Sequence, residues 1–229
     1  YKAMEYFVLS AKQNNSDALY ALGTFYKTGK GVEIDYEKAK TYFEQSAEQE
    51  NALAIFQLGE IYEYGLGVEI DYHKAKKYYE ICSKLNKTNN LVKSLKFFKK
   101  YNLNNEFEYL HTMKYSEISN IQYESKALMK LGNFYWFGLG VKQNYKTAIQ
   151  FFELAAKQDY CKALCTLGKL YYYGSKVEQD YTKAKNYFES AAKQNHPESL
   201  FYIGKMHYDG HGFEQSFTKA KEYYELAAK

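Results

Sequence analysis

The side chains best suited to chemistry in this 229-residue chain are few, and their spacing does not bring them together. His207 and His211 stand four apart, a separation that could hold a metal ion on a helix. His211, however, lies between Gly210 and Gly212 in a loop, and no nearby Cys or Glu completes a site. Cys161 and Cys165 are also four apart; without a second pair they read as buried or groove-lining thiols. A Gly-x-Gly recurs along the chain, but it follows a helix rather than a strand and lacks the third glycine of a dinucleotide site. His73 falls on the outer face of a helix, where solvation is the simplest reading. No nucleophile, base and orienting acid assemble by spacing. No catalytic residue, metal ligand or cofactor is expected within this segment, and it is not read as an enzyme.

The glycines belong to a repeat instead. Leu22-Gly23 returns as Leu58-Gly59, Leu131-Gly132, Leu167-Gly168 and Ile203-Gly204, at steps of 36 residues except for one of 73. That long step is two periods and one residue, so one further copy is expected inside it. A fixed period of this size marks a solenoid, whose units bury their apolar faces by stacking on one another.

One unit shows how the elements arise. From Asn51 to Tyr64 the residues Ala54, Ile55, Leu58, Ile61 and Tyr62 share a helical stripe, which predicts a first helix. It stops at Gly65, which can take the left-handed conformation, as can Gly29, Gly138, Gly174 and Gly210. After a short loop Asp71 can accept from the first free amides of a second helix; Asp35, Asn144, Asp180 and Ser216 are its equivalents. The second helix carries Tyr72, Ala75, Tyr78, Tyr79 and Ser83 on one face. Gly59 and its equivalents lie within the first helix, where glycine costs about 1 kcal/mol against alanine. Close approach by a neighbouring helix is expected to offset that cost, with Ala39, Ala75, Ala148, Ala184 and Ala220 playing the matching part on the second helix.

Composition narrows the partners. The net charge is +4, and Lys and Glu are interleaved as on a solvated helix face, so nucleic acid is not expected as a ligand. Cys82, Cys161 and Cys165 do not recur from unit to unit, so no disulfide framework is expected. A reducing, intracellular compartment, with the cytoplasm favoured, is the simpler reading. No stretch reaches the 18 or so apolar residues of a membrane span. The chain starts and stops in mid-pattern and reads as a fragment of a longer protein.

The expected order is an orphan second helix at 1–13, then hairpins at 14–49, 50–85, 86–122, 123–158, 159–194 and 195–229. The copy at 86–122 is degenerate: Lys96 and Thr112 replace the packing glycine and alanine, while Asn102 and Asn104 stand in for the loop glycines. Looser packing is expected there. Lys176 replaces a loop glycine in one unit, and His207 replaces the first-helix tyrosine in another.

Ala18, Leu22, Gly23, Tyr26, Gly29, Gly31, Val32, Asp35, Lys38, Ala39 and Ala47 spell a pattern that resembles the Sel1-like repeat, a subclass of tetratricopeptide-related helical repeats. The pattern returns from Ala54, Ala127 and Ala163. The resemblance implies an all-α fold, a right-handed α-solenoid of antiparallel helix hairpins, and a role as an adaptor in macromolecular complexes. The family carries no shared catalytic residues. Some bacterial members hold a cysteine pair in every repeat; this chain does not.

In such stacks the first helices line the concave surface. Stepping about 100° per residue, the free face of the first helix centres on position 24 of the Leu22-Gly23 unit, flanked by 20, 21, 27 and 28. The residues singled out there are Glu60 and Glu63 in an early unit, then Lys130, Asn133, Trp136 and Phe137, then Lys169, Tyr172 and Tyr173, then Lys205 and Tyr208. Two readings stay open: lateral packing between adjacent first helices, or an aromatic groove with lysines that takes a protein or peptide carrying acidic groups. The expected function is a monomeric, non-catalytic scaffold that binds protein partners through this face. The alternative is a regulatory or targeting region of a larger enzyme, such as a protein kinase, with its chemistry outside this segment.

Overall fold

The computed structural model describes the backbone of residues 2–85 and 106–229, with side chains described for residues 4, 6–85 and 122–229. Among the described residues eleven helices follow one another: α1 Lys2–Lys12, α2 Ser16–Thr28, α3 Tyr36–Ala47, α4 Ala52–Tyr64, α5 Tyr72–Lys84, α6 Glu106–Phe137, α7 Tyr145–Ala156, α8 Cys161–Tyr173, α9 Tyr181–Ala192, α10 Pro197–Asp209 and α11 Phe217–Ala227. No strand occurs among the described residues, so the fold is an all-α repeat array. Two compact units are present, Tyr1–Phe134 with Gly138–Lys142, and Tyr135–Phe137 with Gln143–Lys229.

The helix ends form where the sequence supplies capping chemistry. Asp35, Asp71, Asn144, Asp180 and Ser216 each accept from the backbone N–H three residues on, at 2.9 to 3.3 Å, and so start α3, α5, α7, α9 and α11. Gly29, Gly65, Gly174 and Gly210 close the preceding helices in the left-handed conformation. Lys176 adopts φ 63° where the other units have glycine, a backbone strain that its side chain answers by placing Nζ 4.8 Å over the Tyr145 ring. Between hairpins a single left-handed residue turns the chain: Asn14, Glu50, Asp159 or Asn195. Three of these four are Asn or Asp, the types that tolerate this region best.

In hairpins α2–α3, α4–α5 and α8–α9 an aromatic ring of the second helix is seated on a glycine of the first. A Cβ placed on Gly23, Gly59 or Gly168 would meet the ring of Phe43, Tyr79 or Phe188 at 2.5 Å, and these rings are fully buried. The close approach expected at these glycines is therefore made by a second-helix side chain. Ala39, Ala75 and Ala184, buried beside them, leave the room. A second ring pair lies at the same place in each hairpin: Tyr26 on Tyr42, Tyr62 on Tyr78, Tyr171 on Tyr187 and His207 on Tyr223, stacked at 5.7 to 5.8 Å. His207 thus fills the tyrosine's slot as a packing ring, covered on its other side by Phe213 at 4.1 Å.

Stacking from hairpin to hairpin also has a fixed register. Gly67 lies against Cβ of Tyr36 and Gly140 against Cβ of Tyr72, in each case where a Cβ on the glycine would come within 2.7 Å. The first of these glycines belongs to the hairpin next in sequence. The second does not: Lys27 reaches Gln57 across 30 residues, but the equivalent contact of Glu63 with Lys130 spans 67. Phe56 and Tyr79 likewise pack on Tyr123 and Phe134, at 5.3 and 5.9 Å. Hairpin α4–α5 and the later part of α6 are neighbours in space, at the register of ordinary neighbours. The copy expected at 86–122 lies outside the described residues up to Asn105, and its expected boundary at 122 falls within the α6 backbone.

Two outcomes check this packing. Gly168→Ala should destabilise the fold by about 1–2 kcal/mol in urea denaturation, because overpacking against Phe188 outweighs the gain in helix propensity; adding Phe188→Leu should recover part of the loss. Cys82 Sγ lies 3.7 Å from Tyr123 O, so deleting residues 86–122 joins chain ends that already adjoin. It leaves Lys84, Leu85, Tyr123 and Glu124 where Glu48, Gln49, Glu50 and Asn51 turn the chain elsewhere. With Tyr123→Asn at the left-handed position, this deletion should melt in one cooperative transition within about 5 °C of the parent; a non-cooperative product would show that the flanking hairpins need the segment.

Candidate partner-binding face

The first helices of the hairpins position every residue singled out for binding, but their environments differ sharply by position. At position 28 of the repeat the side chains point into solvent: Tyr64 in the first unit, Phe137 and Tyr173 in the second. Where position 27 is aromatic, its ring packs on the residue that opens the second helix of its own hairpin. Trp136 is half-buried, edge-on to Tyr145 at 4.9 Å and tilted over Phe152 at 6.2 Å. Tyr172 packs the same way on Tyr181 at 5.5 Å, and Tyr208 on Phe217 at 5.2 Å. Position 20 is buried between hairpins at Phe56 and Cys165. The wheel geometry centred the free face on position 24, yet Glu60, Asn133, Lys169 and Lys205 there are half-buried and full exposure comes at position 28. The cause is the breadth of contact between adjacent first helices, which covers one flank of the stripe.

The charges on this face are largely spent on one another. In the first unit Lys27 pairs with Glu60 at 2.8 Å, and Lys130 pairs with Glu63 at 2.8 Å while donating to the Tyr64 hydroxyl at 2.6 Å. Tyr79 also donates to Glu63. Burial pulls the Lys130 ammonium down, but its bonds to Glu63 and Tyr64 more than reverse this and hold it above its ordinary range. In the second unit Lys169 pairs with Glu198 at 2.7 Å, and that hydrogen bond keeps the Glu198 carboxyl below its usual range. Lys205 instead lies over the rings of Tyr172 and Tyr173, at 5.3 and 5.6 Å. The hydroxyls of Tyr173 and Tyr202 meet at 3.2 Å, and Tyr172 donates to Asp209 at 3.1 Å.

The sequence places Tyr64 and position 27 on this face, but not Glu198 or the ion pairs that Lys27 makes with Glu60 and Glu198 with Lys169; the signal was available as opposite charges at facing positions of consecutive repeats. The aromatic residue opening each second helix, Tyr145, Tyr181 or Phe217, was visible as a repeat, although its pairing with position 27 was not.

The remaining chemical candidates carry no reactive arrangement. Burial pushes the Cys82 and Cys165 thiols up to about 12, so neither is a thiolate near neutral pH. All three cysteines are free. Among the described residues no group of His, Cys, Asp and Glu could hold a metal ion, and no helix is long and apolar enough to cross a membrane. An open cleft of about 560 Å³ beside Tyr62, Tyr72 and Gly140 includes none of the expected site residues. Among its charged residues Asp71 pairs with Lys74 and Lys40 with Glu44.

Tandem helix hairpins in which an aromatic ring of the second helix packs on a glycine of the first define a helical repeat protein. The Sel1 repeat profile matches residues 1–15, 16–51, 52–86, 125–160, 161–196 and 197–229, and the chain belongs to the Sel1 repeat family. Residues 87–124, which include the copy expected at 86–122, lie outside the matched ranges. The chain is similar to a Sel1 repeat protein from Oxalobacter formigenes, at 25% identity and a TM-score of 0.72, covering 100% of this chain and 81% of that one. A Sel1 repeat protein from Klebsiella pneumoniae aligns at 17% identity and 0.48, over 98% and 91%. A protective antigen of uropathogenic Escherichia coli with the SLR fold aligns at 23% and 0.45, over 99% and 48%. A search of curated proteins returned no match.

The Lys130–Glu63 pair yields a pH-dependent expectation. Lys130→Met should cost about 1–3 kcal/mol at pH 7, because it strands a half-buried carboxylate. Lys130 is raised above its unfolded value near 10.5, so its contribution is intact below that value and lost as the pH rises through the folded one. Denaturation midpoints of parent and variant should therefore stay apart below the unfolded lysine value and converge only as the pH rises past it through the raised folded one.

Proposed function

We propose that this chain is a non-catalytic scaffold that holds a protein or peptide partner against the first helices of the hairpins within each of its units. The observation that carries this reading is the recurrence of an exposed aromatic ring at one repeat position, Tyr64 in the first unit and Phe137 and Tyr173 in the second. Large rings held in water on rigid helices offer contact area at little entropic cost, and such residues dominate binding energy at interfaces. The surrounding hydroxyls and ion pairs fix those rings and leave hydrogen-bonding capacity at Tyr173, Tyr202 and Asp209. Acidic groups on a partner would meet Lys205 first, since Lys130 and Lys169 are already engaged. Three free cysteines, two of them buried, support a compartment that keeps thiols reduced.

Affinity capture from cells of the source organism tests the reading. Phe137→Ser combined with Tyr173→Ser should reduce recovery of specific partners at least tenfold, while Ile81→Ser, an exposed apolar residue on a second helix, leaves it unchanged. Equal recovery with both variants would refute the assignment of this face.

A further inference from the structure

The α10–α11 hairpin holds a third ring on its stacked pair. Phe213, in the loop between the helices, lies on His207 at 4.1 Å, and His207 lies on Tyr223 at 5.7 Å. Lys185 of α9 reaches the same ring, its Nζ 4.1 Å from the centre. A side chain carried by a loop is thus gripped between an aromatic face and a cation. The other hairpins have valine at this position: Val32, Val68, Val141 and Val177.

Hairpin α4–α5 carries the same setting without the third ring. Tyr62 stands for His207, Tyr78 for Tyr223, Lys40 of α3 for Lys185, and Val68 for Phe213. Tyr62 stacks on Tyr78 at 5.7 Å, as His207 does on Tyr223. Tyr62, Val68 and Lys40 line the open cleft of about 560 Å³, within the roughly 300–1,000 Å³ of ligand pockets. Tyr62 is buried in part beneath Lys74, whose ammonium lies 5.0 Å over its ring; the Lys74 side chain is 58% exposed and free to swing aside. Lys40 meets Glu44 only at 3.7 Å, so its ammonium can turn to a ring. The rim is apolar too. Ile70, 57% exposed, stands where Gln179 and Gln215 tie themselves to the carbonyls of Tyr172 and Tyr208.

We propose that this cleft binds an aromatic side chain of a partner peptide, taken between Tyr62 and Lys40 as Phe213 is taken between His207 and Lys185. The internal example defines the occupant: a ring carried by a stretch of loop, with Val68 and Ile70 against its edge. Displacing Lys74 costs little, because the entering ring replaces a cation on the Tyr62 face with a stack that Lys40 then covers. The open mouth lets the flanking chain of a peptide leave on either side. The site lies at the α4–α5 loop and uses none of Tyr64, Phe137 and Tyr173, so it goes beyond the first-helix face.

The blocked tripeptides acetyl-Gly-Phe-Gly-amide and acetyl-Gly-Leu-Gly-amide serve as probes, followed by the methyl NMR signals of Val68 and Ile70 in the full chain. The phenylalanine peptide should shift both signals saturably over millimolar concentrations and bind about fivefold more tightly than the leucine peptide. Ile70→Gln, the residue of the later repeats, and Lys40→Ala should each weaken it about twofold. Val68→Phe should abolish it and raise the thermal midpoint by about 1–4 °C, because the new ring fills the slot from within. No saturable shift, equal binding of the two peptides, or a Val68→Phe chain that still binds or melts no higher would each overturn the proposal. A photo-crosslinking residue at position 69, on the cleft's rim, identifies the natural occupant in the cell. Products with another protein that vanish in the Val68→Phe background support a partner peptide. Products that persist there, or that join parts of one chain or two copies, overturn it.

Discussion

The structure depends on one contact that recurs in hairpins α2–α3, α4–α5 and α8–α9: an aromatic ring of the second helix pressed against a glycine of the first. A side chain at Gly59 or Gly168 would sit inside the ring of Tyr79 or Phe188, so the two helices of a hairpin could not keep their separation. Glycine within a helix costs about 1 kcal/mol of propensity, while burying a full aromatic side chain returns about 1.5–3 kcal/mol. The exchange favours the hairpin, and it also fixes where the second helix sits along the first. Everything outward of that contact inherits its register, including the stacked pair beside it and the ring at position 27 that folds back onto the second helix.

Much of the fold was legible in the sequence because these contacts use residue types that have no other reason to recur. The left-handed caps at Gly65 and Gly174, the acidic or polar N-caps at Asp71 and Asn144, and the helix-interior glycines all stand out as exceptions to ordinary helix composition. The candidate site was less legible. A helical wheel treats a helix as a cylinder with one packed side, but Phe56 and Cys165 are buried by the next hairpin and Trp136 by its own. Full exposure is left to the edge at Tyr64, Phe137 and Tyr173. Periodicity within one helix holds no information about a neighbour's width.

The pairing of Lys130 with Glu63 was illegible for a different reason. Counting by 36 assumes that sequence order and stacking order are the same, and the long step between Gly59 and Gly132 invites a hidden copy. Gly140 rests on Tyr72 as Gly67 rests on Tyr36, so hairpins that flank a 37-residue excess in sequence meet as direct neighbours. Only contacts could show this, because eroded repeat residues and unrelated residues of the same length look alike in a single chain.

The ion pairs of the first-helix face give that stacking its order. Individually such pairs contribute about 0–1 kcal/mol, too little to hold hairpins whose apolar surfaces supply the cohesion. Those apolar surfaces are nearly identical from repeat to repeat, however, and could not by themselves choose a neighbour. The charges differ. Position 27 is Lys27 in hairpin α2–α3 and Glu63 in α4–α5, while the facing position is Gln57 in one neighbour and Lys130 in the next. Stacking α6 directly on α2 would set Lys130 against Lys27, and the half-buried setting of both would make that repulsion more costly than in water. The arrangement seen places Glu63 between them in the order, satisfying Lys130 and leaving Lys27 to Glu60. The charge pairing is therefore consistent with the order in which the hairpins follow along the chain, α4–α5 on α2–α3 and α6 on α4–α5, and adds selectivity to a cohesion that the apolar surfaces supply.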